Sequence, residues 1–481
     1  MDWLIASDYS WTRWLWERGI AAIYVVAFAA AALQFKGLLG TRGMLPIPAF
    51  LRTHSFRTAP SVFQLHYSDR FFALVCWSGA TLAAAMVLGL GYAVPLWLAM
   101  ALWLVLWAAY LSIVNVGQLW YSFGWESLLL EAGFLTVFLG NDDVAPPWAV
   151  LVAAWWLLFR VEFGAGLIKV RGDECWRNLT CLDYHHETQP MPGPLSWFFH
   201  RLPKPLHRVE VAGNHVAQLV VPFCLFAPQP VAAVAAGIVI VTQLWLVASG
   251  NFAWLNWLTI VLAFSAVDDG AVAAVTGLSP PEHAGVMPVW FGAIVVAFAV
   301  LVAVLSWRPA RNLLSRRQRM NKTFDPLHLV NSYGAFGTVG RTRNEVVFEG
   351  TTDADPVDEA SWVEYGFKGK PGDVTRMPRQ WSPYHLRLDW LLWFAAISPA
   401  YAQPWIGRFC EGLLRNDPDI VRLLRHNPFL DEPPRYVRAL LYRYRFTTAH
   451  ERRTERAWWH RDLVGTFLAP LDLRELDRMK R

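Results

Sequence analysis

Charge is what this chain has little of. Asp, Glu, Lys and Arg make up 17% of its 481 residues, against roughly 25% in soluble globular chains. Lysine is the scarcest of the four, and most basic residues are arginine. The formal net charge of +5 is small for this length, and with no basic patch nothing argues for nucleic acid. Cysteine is sparse too. Cys76, Cys175, Cys181, Cys224 and Cys410 are too few for a disulfide scaffold, and Cys76 and Cys224 sit in apolar runs where packing is their ordinary role. The chain has no G-x-S-x-G elbow, no P-loop and no H-E-x-x-H, so hydrolase, ATPase and metalloprotease readings lose their support. Its N-terminal "MDWLIASDYSWTRWLWERG" lacks the basic start and A-x-A site of a cleavable signal. It shows no internal repeat, and no inverted repeat that would point to a transporter.

Apolar residues fill the space, at 55% of the chain with 27 Trp. The preference for arginine and the abundant alanine point to a GC-rich bacterial source. The apolar excess falls in blocks, and a bilayer core of ~30 Å needs about 20 such residues per helix. Blocks lie at 19–38, 71–93, 95–116, 118–139, 147–170, 215–227 with 231–249, 252–267 and 288–307. The chain therefore reads as mostly α, a polytopic transmembrane bundle of about eight or nine helices over residues 1–307. Run 215–227 is short and broken by Pro222, as a half-helix or re-entrant piece would be. From 308 the chain turns polar, and residues 308–481 read as an extramembrane α+β domain. Within it "NSYGAFGTVGRTRNEVVFEGTTD" is strand-like. "PYHLRLDWLLWFAAISPAY" and "PPRYVRALLYRYRFTT" read as amphipathic helices on the membrane surface or against the bundle. Basic segments 39–70, 171–213 and 308–322 alternate with acidic "NDDV" and the loop 268–286. If 215–249 is a hairpin, alternating crossings put all three basic segments on one side, which the Lys/Arg rule makes cytoplasmic, with the C-terminal domain there too.

Ionisable residues inside the apolar blocks are the candidates for function, because a charge at mid-membrane faces protein or water. Glu162 and Lys169 are seven apart and share a helix face, about 10 Å apart along the axis. Arg160 points elsewhere, toward a headgroup or another helix. Gly164 and Gly166 admit a close neighbour. With Glu126 and Glu131 these residues suggest a buried ionic network, which is either architectural or a proton-handling site. His215, Asn251 and Asn256 add polar atoms; Asn214 suits a helix cap, and His215 with "SGN" could complete a pocket. The polar segment 171–213 would close over Lys169 as a lid carrying Asp173, Trp176, Asp183, His185, His186 and Glu187. Cys175 and Cys181 suit a small disulfide loop in an oxidising compartment. Asp183, His185, His186 and Glu187 could supply metal ligands, but adjacent residues seldom converge on one ion and no metal is expected. "RNLT" matches a glycosylation sequon.

The blocks "SFGWESLLLEAGF", "GLIKVRGDECWRNLTCLDYHHETQPMP", "SGNFAWLNWLTIVLA" and "NSYGAFGTVGRTRNEVVFEGT" resemble the lipase maturation factor family, in order and across most of residues 115–480. His186 stands where that family would carry an aromatic residue. The resemblance implies an integral membrane protein of the endoplasmic reticulum, or of the bacterial inner membrane in a prokaryote. It implies a chaperone that helps lipase-like client proteins fold, with links to lumenal redox balance and a C-terminal domain facing the lumen. That last implication conflicts with the charge rule. A shorter likeness, "GAGLIKV" followed by an acidic residue and "CW", is similar to the membrane core of the vitamin K-dependent carboxylase group. It would make Lys169 a base, tuned by Glu162 and covered by His185, acting toward a quinone-like or lipid ligand. The maturation-factor reading, with membrane lipid and client protein as partners and no cofactor, is the favoured one.

Overall fold

The computed structural model describes residues 2–281, 285–354 and 359–479; residues 282–284 of the acidic loop, Glu282 among them, lie outside these. The apolar blocks form helices α1 (Ser10–Leu38), α2 (Asp69–Val87), α3 (Leu96–Val116), α4 (Gly124–Thr136), α5 (Trp148–Arg171), α6 (Lys204–Leu219), α7 (Val231–Ser249), α8 (Leu255–Ala263) and α9 (Val289–Leu314). Among the described residues six of these, α1, α2, α3, α5, α7 and α9, are long and apolar enough to cross a membrane. A seventh arises if α8 and the bent helix Asp269–Thr276 count as one span. The sequence-based number was higher because two apolar blocks fold into shorter pieces. Block 118–139 gives only the 13 residues of α4, and the run 215–227 is the tail of α6 followed by the turn Val221–Cys224.

The charged ends of these helices segregate. The N-terminal segment, the 141–143 turn and Asp268–Asp269 lie together: Ala6 N–H donates to Pro146 O, and Ser10 and Trp11 N–H donate to Asp269. At the other end, Arg171 of α5 donates to the Leu313 and Ser315 carbonyls at the end of α9, and Asn115 of α3 to Pro326 O. Segments 39–70, 171–213 and 308–322 share this end with the described residues C-terminal to α9.

The C-terminal segment contributes a four-stranded antiparallel sheet, order β2-β1-β3-β4, from β1 (Arg343–Thr351), β2 (Val363–Glu364), β3 (Tyr436–Phe446) and β4 (Trp459–Leu471). Helices α10 (Arg387–Ile397) and α11 (Ile406–Leu414) pack beside it. One reading is corrected here and another is narrowed. "PPRYVRALLYRYRFTT" forms strand β3, not a basic helix, because Tyr442, Tyr444 and Phe446 alternate with Arg443 and Arg445 at period two. Helix α10 is the helix expected in "PYHLRLDWLLWFAAISPAY" and takes the second of its two places, against the bundle and not on the membrane surface. Its residues from Arg387 to Leu392 are all buried, and a single apolar core runs from Tyr24 and Tyr110 in the bundle to Phe348, Trp390 and Phe409.

Candidate functional site

Three buried polar clusters tie the bundle together, each holding a residue that stood out in the sequence. In the first, Glu126 at the start of α4 accepts from Arg387 Nη1 of α10 at 2.6 Å and from the Tyr110 hydroxyl of α3. His385 Nδ1 lies 3.5 Å from the same carboxylate. The Arg387 guanidinium stacks 3.4 Å from the Tyr121 ring centroid and donates to Trp120 O at 2.7 Å. Both charges are wholly buried, and burial with the arginine beside it holds His385 at about 3, hence neutral.

In the second, Arg160 of α5 reaches across to Glu131 of α4 and to Asn331 O at 2.5 Å. Glu131 also accepts from the Asn331 backbone at 2.9 Å and the Tyr333 hydroxyl at 2.7 Å. Arg160 thus serves another helix, one of the two destinations open to it from sequence. The segment after α9 lies close because Gly164 lacks a side chain: a Cβ there would stand 2.5 Å from Tyr333 O.

The third cluster holds Glu162 and Lys169 on one face of α5, bridged through Gln218 of α6. Lys169 Nζ donates to Asn214 Oδ1 at 2.8 Å and Gln218 Oε1 at 2.9 Å, and lies 4.8 Å from the Trp176 ring centroid. Gln218 Nε2 donates to Glu162 at 3.2 Å; Gln243 of α7 donates to the other Glu162 oxygen at 2.6 Å and accepts from Asn256 at 2.7 Å. An ammonium has three N–H groups, and here two meet amide oxygens while a π face covers the remaining side. That is an occupied structural tie. A base toward a quinone would need a free lone pair with room for its substrate, so the geometry lends the enzyme reading no support. Asn214 is not a helix cap; α6 begins ten residues earlier, and the amide faces Lys169.

The lid is built, and it is mostly helical. Asp173 caps the turn Glu174–Arg177 by accepting from Cys175 N–H, and Cys175 is bonded to Cys181. Arg341 clamps Asp173 at 2.8 Å and lies 3.5 Å from Cys175 Sγ; this hydrogen bond holds the Asp173 carboxyl below its ordinary range. Trp176 covers Lys169 while its indole N–H donates to Phe336 O. His215 meets Trp176 O at 3.0 Å. Asn251 lies elsewhere, accepting from Trp381 and Ser382 N–H, so these two do not share a pocket. The helix Leu182–Thr188 splays its side chains. Asp183 meets His207 at 3.3 Å, Glu187 accepts from Phe446 N–H at 2.7 Å, and His185 packs on Phe252 and Phe336. His186 packs between Phe199 and His207. Among the described residues no group of three or more His, Cys, Asp or Glu could hold a metal. Burial lowers His185 to about 3 and takes His186 well below its ordinary value. Sequence reasoning missed Gln218, Gln243, Asn331, His385 and Arg387. Gln243 was visible as a lone amide in "VTQLWLV", and Arg387 as an arginine facing apolar neighbours in "HLRLDWLL".

Fold and clusters together define a class: a polytopic helical membrane protein whose bundle is braced by buried charge clusters, one of them an ion pair to the C-terminal segment, with a disulfide-pinned lid and a sheet on one face. Residues 11–274 match the family model for the lipase maturation factor transmembrane domain, and residues 329–469 match that for the lipase maturation factor C-terminal domain. The chain belongs to the lipase maturation factor family. It is 41% identical to lipase maturation factor 1 of Bos taurus over 98% of this chain and 91% of the relative. It is 40% identical to lipase maturation factor 1 of Homo sapiens, over 97% and 88%. Lipase maturation factor 2 of Rattus norvegicus is 28% identical over 95% and 83%. These relatives are mammalian and give the expected bacterial source no support. No solved structure matches the chain.

Proposed function

We propose that this protein is a membrane-embedded maturation factor that assists the folding or assembly of lipase-like clients, acting as a chaperone without a cofactor. One observation carries the reading: the likeness to proteins named lipase maturation factor runs through bundle and C-terminal segment alike. The site chemistry agrees with it. Lys169, Glu162, Glu126, Glu131 and Arg160 are held by neighbours on other helices, as a rigid scaffold needs and a reacting centre does not.

The face bearing the lid and the sheet belongs, in this reading, to an oxidising compartment, the lumen of the endoplasmic reticulum. The Cys175–Cys181 bond supports that side, since a cystine does not persist in a reducing cytosol. The Lys/Arg rule favours the opposite side, but it is a bias in insertion, whereas a disulfide needs an oxidant.

Truncation at residue 308 would not test the reading, because it would strip Arg387 from Glu126 inside the bundle. The test is complementation. Cells lacking their own factor express the full chain together with a secreted homodimeric lipase, and lipase activity per secreted mass is measured. The chain is expected to raise that specific activity several-fold. A correctly inserted chain that leaves it at the empty-vector level, while lipase maturation factor 1 restores it, overturns the proposal.

A further inference from the structure

One cleft on the protein has no part in the clusters above. It measures about 350 Å³ and is lined by Lys36, Arg42, Asp69, Arg70, Asp417 and Asp419, with Gly37, Ala73 and Ile420 on its floor. Lys36 stands in the last turn of α1, and Asp69 and Arg70 in the first turn of α2. The cleft therefore opens where two candidate spans leave the membrane, on the face that carries the lid and sheet. The turn Pro418–Val421 closes it from above. Gly37 allows this approach, since a Cβ there would stand 2.4 Å from Asp419 O.

The charges in the cleft are unspent. Lys36, Arg42 and Arg70 are exposed, and none has an ion pair or a side-chain hydrogen bond among the described residues. Asp69 is engaged, accepting from Thr41 N–H and Oγ1 at 3.0 Å and from Tyr67 Oη at 2.8 Å. Asp417 has one oxygen taken by Asp419 N–H at 2.9 Å. The Asp419 side chain makes no such bond. Three free cations thus face three carboxylates, of which Asp69 and Asp417 each have one oxygen taken and Asp419 has none.

Below the cleft the surface is apolar and exposed. Leu74 and Trp77 follow Arg70 by four and seven residues on α2, at 60% and 49% exposure, and Leu33 precedes Lys36 by three on α1, at 54%. Spacings of three, four and seven keep each set on one helix face, so each free cation of the two helices heads an apolar stripe that runs toward the bilayer centre.

We propose that this cleft binds one phospholipid with a zwitterionic, primary-ammonium headgroup, phosphatidylethanolamine in chemistry. Its phosphate sits among Lys36, Arg42 and Arg70. Its ammonium donates to Asp419 and to the free oxygen of Asp417. Its acyl chains lie along Leu33, Leu74 and Trp77. The carboxylates select against lipids whose headgroups carry only negative charge, which bring no cation to offset them. The proposal rests on the membrane placement of α1 and α2 and is independent of any client.

The test uses the full chain purified in mild detergent and titrated with defined lipids, read by native mass spectrometry and by melting temperature. Phosphatidylethanolamine is expected to remain bound and to raise the melting temperature more than phosphatidylglycerol does. Removing a surface cation weakens a headgroup contact about fivefold, so Arg42→Gln with Arg70→Gln should lower retention about 25-fold. Both side chains are exposed, and the double variant should keep its lipid-free melting temperature. Asp419→Asn should narrow the preference over phosphatidylglycerol. Equal retention by wild type and the double variant would reduce the cleft to ordinary boundary lipid and overturn the proposal. A preference for phosphatidylglycerol would overturn its zwitterionic character. Equal binding of chain-free glycerophosphoethanolamine would overturn a lipid occupant in favour of a soluble phosphate ester.

Discussion

Replacing Glu126 by Gln tests whether the bundle and the C-terminal segment act as one body. Glu126 and Arg387 are buried with no exposed surface, 261 residues apart in sequence and 2.6 Å apart in space. Glu126→Gln keeps an amide oxygen that can accept from Arg387, but it leaves the guanidinium inside the protein with no counter-charge beside Trp120 O and the Tyr121 face. Removing one member of a buried pair costs about 3–5 kcal/mol, because the other charge stays desolvated and uncompensated. At 1.4 kcal/mol per decade, 4 kcal/mol is close to a thousandfold in the equilibrium for local opening. Hydrogen exchange in detergent micelles reads this directly. The amides of Leu391 and Leu392 on α10, and of Leu128 to Leu130 on α4, should exchange about 10³-fold faster in Glu126→Gln. Replacing both partners, Glu126→Gln with Arg387→Met, removes the stranded charge and should recover most of the protection. If α10 keeps wild-type exchange in the single variant, the pair contributes nothing to docking and the cross-braced scaffold is wrong.

Three further outcomes are expected. Lys169→Met should cost about 1–2 kcal/mol, from the acceptors Asn214 and Gln218 left without their donor, while client maturation stays within about twofold; a well-folded variant with no maturation activity would bring chemistry at this nitrogen back. Denatured protein treated with a maleimide mass tag should take three tags without reductant, at Cys76, Cys224 and Cys410, and all five with it; five tags in both conditions would remove the argument for an oxidising compartment. Acid should weaken the fold. His185 and His385, held at about 3, and His186, held well below its ordinary value, stay neutral in the native state. The unfolded chain gains their protons below about pH 6.5, so their stabilising effect is present above that pH and is lost as pH falls toward 3. The three together give a slope of about 4 kcal/mol per pH unit. Asp389, raised to about 6 by burial, opposes this between pH 6 and 4, where the native state takes its proton first, and offsets about 1.4 kcal/mol per unit. The melting temperature should therefore drop steadily from pH 6.5 to 5, and a flat profile would refute the neutral, buried histidines.

The sequence alone determined the membrane bundle, because runs such as 95–116 and 288–307 admit no other solvent. It also determined that Glu126, Glu131, Arg160, Glu162 and Lys169 face inward, since a charge in hydrocarbon is too costly to leave bare. Period-two alternation in "YRYRF" was there to be read as a strand, but basic and aromatic residues at nearby spacings mimic a surface helix, and only pairing with β1 decided between them. Which charge meets which was beyond the sequence. Arg387 lies 261 residues from Glu126, Asn331 lies 200 from Glu131, and the Gln218 bridge between Glu162 and Lys169 depends on α6 packing along α5. Short-range patterns report which solvent each face requires. The partner of a buried charge is set by how distant helices stack, and that is a property of the whole chain once folded.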